Sequence, residues 1–540
     1  MKFSTNALLH CGRAFRLLAL ALCVSLTACG PREPKADITI INGAEPESLD
    51  PHIITGQPDS RVVLALFEGL TRFSAETADA EPGLAERWEI SADGLTYKFF
   101  LRSNAVWSTG EPITADDVVF SWRRALNPLT ASDYAGQLFY VKNGEEFNAG
   151  KAKAEDVGIR VLDARTVQVE LVAPTAFFLD LCAFQTLAVV PRKTIEKHGD
   201  RWMKASPVPF SGAYTLDFWR VNDKIRLRKN PRYWDVANTR NEIVDLYSTD
   251  QATTAMNVYL NGGADIIWDK GLVPSELMDV LRQRPDCHTY DYLGTYFLRY
   301  NVGKKPFDDP RVRKALALAV DKQRLTDKIT RGGEKPASHL TPKGLKGYVP
   351  PEGPGYDPAA ARKLLAEAGF PDGKTFPPFE YMFNTGRQNE QIAVELQAMW
   401  KKELGLNVSL RQVEWKVYLS DQSKTNYDMS RSSWVGDYKD PNTFLDMFMS
   451  NNGNNRTGWV NPRYDALIKE ANRQTDPKQR EKLMQQAETL LIRDEMPIVP
   501  IFFYVGINFW NPAKIDGVHQ NIIDVHPIAS LHKKMSLPHR

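Results

Sequence analysis

The residues best suited to binding chemistry stand in one short stretch, SRSSWVGDYKDPNTF, at positions 430–444. Arg431, Trp434 and Asp437 bring a cation, a large aromatic ring and an anion close together. The pattern around them indicates an extended segment rather than a helix, as at the edge of a strand. Plainer interpretations exist for single residues: Asp437 could cap the following Lys-Asp-Pro-Asn turn, and Arg431 could be an exposed strand charge.

The motifs of common enzymes are missing from the sequence. It contains no G-x-S-x-G, H-E-x-x-H, P-loop or C-x-x-C pattern. The adjacent Asp116 and Asp117 would point about 100° apart on a helix, which fits helix-start chemistry better than a catalytic pair. The nine histidines have no metal-ligand spacing; they include His52, His198, His339 and His526. We therefore expect no catalytic site, no metal and no cofactor, and binding is favoured over catalysis.

Length and charge narrow the class of protein. A chain of 540 residues is too long for one small core, so two or three domains are expected. The hydrophobic fraction of 43% and the charged fraction of 25% are typical of soluble globular proteins. Lys and Arg total 68 against 66 for Asp and Glu, a net charge of +2. This balance gives no support to nucleic-acid binding.

The amino-terminal segment has the pattern of a secretion signal, predicted over residues 1–28. Lys2, Arg13 and Arg16 precede the apolar run LLALALCVSL at 17–26, which is too short for a comfortable membrane span. The end of this run, Leu-Thr-Ala-Cys at 26–29, resembles a bacterial lipobox, which implies cleavage before Cys29 and a lipid on its thiol. The alternative is simple cleavage after Ala28. Residues 29–36 would form the lipidated cysteine and a short polar tether.

Cysteines are few in the predicted mature chain. Cys182 and Cys287 remain after the signal segment is removed. In an oxidising compartment they could pair, but their separation in sequence says nothing about their distance in space. Two buried free thiols are the equal alternative.

Strand and helix patterns alternate along the chain. Residues 36–44 and 166–172 alternate as strands do, whereas 62–70 predicts a helix closed by Gly69. Thr114 with Asp117 three residues later predicts a capping box. One long helix is predicted from Asp309, and another over 389–405 that runs into the strand NVSLRQVEW. This interleaving predicts an α/β protein.

Several stretches, taken in order, resemble the periplasmic oligopeptide-binding proteins, the large solute-binding family that serves peptide ABC transporters. They are EPESLDPH (45–52), AVWSTGEPITADDVVFSWRRALNP (105–128), NPRYWD (230–235), KPFDDPRVRKALALAVD (305–321) and the segment 415–448. The resemblance covers essentially the whole mature chain. It implies a two-lobed α/β periplasmic-binding-protein fold of the large peptide-binding type, with three subdomains and hinge closure. Lobe I would comprise 37–71, 195–293 and 505–540, the extra subdomain 72–194, and lobe II 294–504.

The resemblance also gives the stretch 430–444 a role. A protein that binds many peptides must grip what they share, and strand addition does so through main-chain hydrogen bonds. Ser433, Trp434 and Val435 would supply the strand edge. Asp437 would pair with the α-ammonium group of the peptide, and Arg431 would reach its carboxylate.

Four further residues, together with Trp434, match positions of the family. Trp434 and Trp415 would wall side-chain pockets, Asp59 would touch the ligand backbone, and Tyr292 and Phe297 would line pockets. The alternatives are a core position for Trp415, an exposed loop for Asp59, and two aromatics of an alternating strand buried in any case.

The sequence also departs from the family. Some members link the two sides of the cleft by a cysteine pair, where this chain has Gly294 and Val435. Where a histidine can assist the ligand carboxylate, this chain has the neutral Asn389. These changes leave the grip on the amino terminus intact and leave ligand length open.

The resemblance therefore implies a monomeric receptor of the periplasm or cell envelope, anchored to a membrane by lipid at Cys29. It would capture oligopeptides and deliver them to the permease subunits of an ABC transporter. The alternative is a receptor for dipeptides, murein peptides or another solute on the same scaffold. An envelope peptidase is the rival from a different class.

Overall fold

The computed structural model describes residues 33–268, 270–345 and 347–534. From Asp37 onward the chain forms one compact unit. Its strands are β1 Ile38–Gly43, β2 Thr71–Phe73, β3 Ala80–Pro82, β4 Ala85–Ile90, β5 Thr96–Leu101, β6 Ile159–Asp163, β7 Thr166–Glu170, β8 Tyr214–Arg220, β9 Lys224–Lys229, β10 Ile243–Ser248, β11 Ile266–Ile267, β12 Cys287–Tyr300, β13 Lys335–Pro336, β14 Phe379–Asn384, β15 Val408–Val413, β16 Met429–Val435, β17 Ile498–Trp510, β18 Ile515–Asp516 and β19 His532–Lys533.

The helices lie between these strands. The α helices are α1 Gln57–Leu66, α2 Ala115–Leu126, α3 Gly144–Asn148, α4 Phe178–Leu181, α5 Arg192–His198, α6 Ala252–Leu260, α7 Met278–Leu281, α8 Pro310–Leu318, α9 Lys322–Arg324, α10 Pro358–Glu367, α11 Arg387–Leu404, α12 Trp415–Ser423, α13 Asn442–Leu445, α14 Pro462–Arg473 and α15 Pro477–Thr489. Two π-helical turns follow α9 and α15, at Leu325–Thr330 and Leu490–Asp494.

One large mixed sheet runs through the molecule in the order β15-β14-β16-β12-β17-β11-β1-β10-β9-β8, with β13 beside β17. The long antiparallel strands β12 and β17 lie in its middle and pair in two segments. Residues 287–291 pair with 505–509, and 295–299 pair with 498–503, with an irregular register between the segments. The predicted lobe boundaries, after residues 293 and 504, fall at this irregularity, so β12 and β17 are the crossing segments of a two-lobed fold.

Separate cores accompany the predicted subdomains. Ile38, Val244 and Leu227 belong to a core around β1, β10 and β9. A second core fills the segment 72–194, where α2 packs on the antiparallel sheet β4-β5-β7-β6. A third lies around β14 and α11 and includes Tyr381 and Trp400. These cores support the three-part division, whose boundaries stay a prediction.

The predicted capping box is present at the start of α2. The Asp117 carboxylate accepts hydrogen bonds from the Thr114 backbone N–H, at 2.9 Å, and from its hydroxyl, at 3.0 Å. The first of these two bonds satisfies the Thr114 N–H, a backbone donor at the start of the helix. Asp117 is therefore a structural residue.

Three predicted elements have other boundaries in the structure than the sequence patterns predict, each for a local reason. The first helix spans 57–66 rather than 62–70, because the backbone is already extended at Phe67, with φ −130° and ψ 150°. The helix from Asp309 ends at Leu318, and Asp321 caps a new one by accepting from the Arg324 N–H. The strand after α11 stops at Val413 because Glu414 caps α12, so Trp415 is helical.

Three remaining predictions concern cysteines and membrane contact. Cys182 and Cys287 are both free thiols, and burial raises the pKa of each. The predicted signal segment and Cys29 lie outside the described residues. Within the described ranges, no helix is both long and apolar enough to cross a membrane.

Candidate functional site

A deep cleft lies between the two lobes, over the crossing strands. The space that protein atoms leave there is about 1630 Å³, including the part open to solvent. Lobe I contributes the start of α1, lobe II contributes β16 and α12, and the extra subdomain contributes Tyr134 and Phe184. Because all three parts of the chain form the walls, the site depends on how the lobes meet.

The lobes contact each other directly at one end of the cleft. Asp133 of the extra subdomain pairs with the Arg456 guanidinium of lobe II and accepts a hydrogen bond from the Ser423 hydroxyl at 3.0 Å. Phe177 stacks on Tyr438 at a ring distance of 4.4 Å. The structure is therefore a closed arrangement of the lobes.

Strand β16 presents a backbone edge to the cleft. It pairs along its length with β12, whereas β14 pairs only with Met429 and Ser430. The Gly436 N–H donates to the Leu293 carbonyl on the β12 side, and the Arg431 carbonyl accepts from Tyr418 on the opposite side, at 2.8 Å. Since backbone groups alternate between the two sides of a strand, those of Ser433 and Val435 point to the cleft. The predicted strand edge is present in the expected place.

Asp437 lies just beyond this edge, where the chain leaves β16. Its carboxylate accepts a hydrogen bond from Gln137 Nε2 at 3.0 Å, and its backbone N–H donates to Thr443 Oγ1 at 3.0 Å. Burial, and after it the neighbouring Asp446 carboxylate, raises the pKa of Asp437 well above its ordinary value. Among the described residues, no ion pair involves Asp437.

A second carboxylate makes the same region more acidic. Asp446 accepts hydrogen bonds from Tyr140, at 2.9 Å, and from Tyr438, at 3.3 Å. Burial raises its pKa to about 7, although both phenols oppose the shift. A buried carboxylate is stabilised in its charged form by a nearby cation. The pair Asp437 and Asp446 therefore forms a site suited to an ammonium group.

Arg431 occupies a different part of the cleft wall. Its guanidinium lies 5.2 Å from the ring centre of Tyr296 and 5.9 Å from that of Tyr418, and its Nη2 donates to the Tyr504 hydroxyl at 3.1 Å. Its buried Nε has no hydrogen-bond partner among the described residues, and no ion pair to Arg431 occurs there. A guanidinium held by neutral phenols is free to bind a carboxylate in two-pronged fashion.

Both predicted tryptophans line the cleft. The Trp434 ring lies 5.8 Å from the ring of Tyr134, and the Trp415 ring stacks on Tyr418 at 5.4 Å. In the described part of the chain, neither indole N–H has a hydrogen-bond partner, although both are buried. Each therefore offers an aromatic face and a donor to a ligand.

Asn389 lines the cleft in the first turn of α11. Its side-chain amide donates to the backbone and side-chain oxygens of Asn384, at 3.3 and 3.2 Å. An amide in this position adds hydrogen bonding to the wall, without charge.

Three predicted residues do not reach the wall. Asp59 is fully buried, and its carboxylate accepts from the backbone N–H groups of Glu47, at 2.6 Å, and Ser48, at 3.2 Å. Its neighbours Pro58 and Ser60 line the cleft in its place.

The two aromatics of β12 are also buried rather than part of the wall. Tyr292 is 4% exposed and accepts a hydrogen bond from Gln57 Nε2 at 2.7 Å. Phe297 is fully buried and packs on Phe448 in the core. The expectation that these side chains line pockets is corrected, because the β12 strand is covered on both faces from Tyr292 onward.

The family's cysteine positions also need a correction. Gly294 and Val435 are direct cross-strand partners on β12 and β16. They are neighbours in one sheet and do not stand on opposite sides of the cleft. A bridge there would tie two strands of one wall together.

Several residues at the site could not be predicted from the sequence. Tyr134 lines the cleft from the extra subdomain, and Gln137 of the same subdomain donates to Asp437 from behind the wall, about three hundred positions earlier in the chain. Lys270 lines the cleft with its ammonium 4.2 Å from the ring centre of Tyr504. Only the fold brings these residues to the site.

Taken together, the fold and the site define an extracytoplasmic type of solute-binding protein: two lobes, two crossing strands and a cleft that closes. The model of the bacterial extracellular solute-binding proteins, family 5, matches residues 79–456. The chain belongs to this family.

Curated relatives span nearly the same length. The chain is 37% identical over 481 residues to the periplasmic oligopeptide-binding protein OppA of Salmonella typhimurium, covering 87% of this chain and 88% of OppA. It is 36% identical to the probable deoxycholate-binding periplasmic protein YgiS of Escherichia coli, covering 89% and 90%.

A solved relative has the same fold. The structure of Haemophilus influenzae OppA in complex with RPPGFSPFR superposes with a TM-score of 0.88 at 34% identity, covering 92% of this chain and 98% of that one.

Proposed function

We propose that the protein captures oligopeptides in its interlobe cleft and delivers them to an ABC permease for import. The observation that carries the proposal is the order of three features along one wall. Asp437, with Asp446 behind it in a small adjoining cavity, is followed by the backbone edge of Ser433 and Val435, and then by Arg431. An extended peptide presents its ammonium, main chain and carboxylate in this same order.

The closed arrangement supports a binding role. Gln137 and Tyr140 of the extra subdomain reach the two carboxylates of lobe II. A ligand ammonium placed between them would stabilise the closed form, because it compensates two buried anions that repel each other. The hinge would lie at the irregular pairing of β12 and β17.

Calorimetry with matched peptides tests the ligand class. Ala-Ala-Ala is expected to bind, whereas N-acetyl-Ala-Ala-Ala is expected to bind far more weakly. Peptides recovered intact after purification from a mixed pool, identified by mass spectrometry, would agree with a receptor. Hydrolysed peptides would favour a peptidase instead. Retention of dipeptides or of a non-peptide solute alone would move the assignment to another receptor of this family.

We further propose that the mature protein is a monomer in the periplasm or cell envelope, anchored by lipid on Cys29. The lipobox-like sequence Leu-Thr-Ala-Cys supports this proposal. The variant Cys29→Ser is expected to leave the membrane fraction, because attachment would rest on acyl chains alone. Fractionation and intact mass measure the change, and Ser25→Ala in the same segment is the control. A parent protein whose mature chain begins at an unmodified Cys29 would contradict the anchor.

A further inference from the structure

A second cavity continues from the cleft into lobe I. It encloses about 1180 Å³ of space outside protein atoms, part of it open to solvent. It lies between α1 and the segment 523–530, and no described residue of 294–504 lines it. We call it the lobe I chamber. The chamber and the cleft share six lining residues, namely Gln57, Ser60, Leu64, Phe73, Ile523 and Val525.

The shared mouth lies beside Trp434. Leu64, Phe73 and Val525 belong to the same hydrophobic cluster as Trp434. Tyr134 of that cluster lies 5.8 Å from the Trp434 ring, near the Asp437 end of the cleft. Side chains of a strand alternate between the two faces of the sheet. A side chain near the ligand amino terminus, pointing to the Trp434 face, would therefore face the chamber mouth.

The chamber changes from apolar to ionic along its length. Beyond the mouth, Arg72 pairs with Glu81 and Asp235, each at 2.8 Å. The Glu68 carboxylate lies in the same region and accepts hydrogen bonds from Tyr233 and Trp234. Three carboxylates thus surround the Arg72 guanidinium, and the lining of the chamber also includes Arg61 and Asp524, which lie 3.8 Å apart. The Glu81 side chain is 37% exposed, so an incoming group can reach it.

We propose that the lobe I chamber is a side-chain subsite for a long ligand side chain near the amino terminus that ends in a cation. This inference rests on the proposed peptide function and names the preferred ligands within it. The apolar mouth would hold the methylene stem, as apolar surfaces hold the stems of lysine and arginine. The excess of carboxylates would then bind the terminal ammonium group. A lysine extended through its side-chain amine has the long stem and terminal cation that this lining would hold.

Calorimetry with a series of tripeptides tests the subsite. The reference peptide is Ala-Ala-Ala. In its analogues, residue one or residue two is a lysine whose side-chain amine is acylated by 6-aminohexanoate or by succinate. The first acyl group ends in an ammonium and the second in a carboxylate. The ammonium-ended peptide is expected to bind about tenfold more tightly than the carboxylate-ended one at one of the two positions.

Two variants locate the effect. Ala529→Trp fills the chamber from a half-buried position and should abolish the tenfold preference, with binding of Ala-Ala-Ala unchanged. Ala513→Trp, at an exposed turn outside both cavities, is the matched control. Glu81→Gln should reduce the preference without blocking the chamber.

The outcomes separate the two claims. Equal affinity for both acylated peptides, or a preference that Ala529→Trp leaves intact, overturns the subsite and leaves the peptide function standing. If Ala-Ala-Ala itself fails to bind, the proposed function falls and the subsite falls with it.

Discussion

The two ends of the cleft are built differently. At the acidic end, Asp437 and Asp446 of lobe II take hydrogen bonds from Gln137 and Tyr140 of the extra subdomain. At the basic end, Arg431 contacts Tyr296, Tyr418 and Tyr504, which all lie in the predicted lobe II. The acidic end is therefore completed by contacts across the lobes. At the basic end Arg431 is held by lobe II, and Lys270 of lobe I lies 4.2 Å from the ring centre of Tyr504.

This difference has a consequence for ligand length. A ligand charge that pairs with a charge buried at a closing interface must lie in one position, because a buried charge that lacks its partner costs binding free energy through desolvation. The basic end has two cations close to Tyr504, Arg431 and Lys270, and therefore two positions where a carboxylate can bind. We infer that the acidic end fixes the register of a peptide and that the basic end accepts carboxylates at more than one distance.

The largest expected effect is at Asp437. Asp437→Asn keeps the shape and removes the charge, so a buried ammonium would lose its partner. Loss of one member of such a pair costs about 3–5 kcal/mol, which is roughly two to four decades in affinity. Calorimetry should show this loss for Ala-Ala-Ala and almost none for its N-acetyl form. Equal binding of both peptides by the variant and the parent would reduce Asp437 to a turn residue.

A smaller effect is expected at Arg431. Arg431→Gln should weaken peptides with a free carboxylate by about ten- to a hundredfold, the range for a hydrogen bond to a charged group. Peptides with an amidated carboxyl terminus should lose little, which calorimetry on the same pairs can measure. Arg463→Gln, on an exposed part of α14, is the control. If amidated and free peptides weaken equally, Arg431 supports the fold rather than the ligand.

Arg431 and Asp437, which the resemblance assigned to the two ends of the ligand, could be placed near each other for a physical reason. Arg431, Ser433, Trp434, Val435 and Asp437 lie on one strand and the turn after it, so their spacing in sequence sets their spacing in space. The capping of α2 was predictable for the same reason. Local patterns determine local structure.

Residues that only tertiary contacts bring to the cleft, or turn away from it, could not be predicted from the sequence. Gln137 is three hundred positions from Asp437, and nothing in its surroundings points to the cleft. Phe297 lies on a central strand covered on both faces, so alternation along β12 could not separate wall from core. Asp59 stands between two wall residues, yet its side chain turns inward to the Glu47 and Ser48 N–H groups.

Closure without ligand should depend on pH. We expect the open form to expose Asp446 and Asp437 to solvent, whereas in this closed arrangement burial raises the pKa of Asp446 to about 7 and that of Asp437 well above its ordinary value. The closed form thus binds more protons, so falling pH favours closure between about pH 7 and 4. The closed-to-open ratio changes by at most about tenfold per pH unit for each proton. Small-angle scattering should show a smaller radius of gyration at acid pH, and Asp437→Asn should weaken this dependence. A radius that is independent of pH in both proteins would contradict the coupling.

The smallest effect is expected at Gln137, the cross-lobe donor to Asp437. Gln137→Leu removes a hydrogen bond worth about 1 kcal/mol, so affinity for Ala-Ala-Ala should fall several-fold. Two further measurements decide how Gln137 acts: the affinity of Gln137→Leu for the acetylated peptide, and the affinity of the double variant Gln137→Leu/Asp437→Asn for Ala-Ala-Ala. If Gln137 acts through the Asp437 carboxylate, the double variant should bind no more weakly than Asp437→Asn alone, because the interaction no longer includes a charge. Additive losses, measured by calorimetry in this double-mutant cycle, would show that Gln137 contacts the ligand itself and that the acidic end is held by two independent groups.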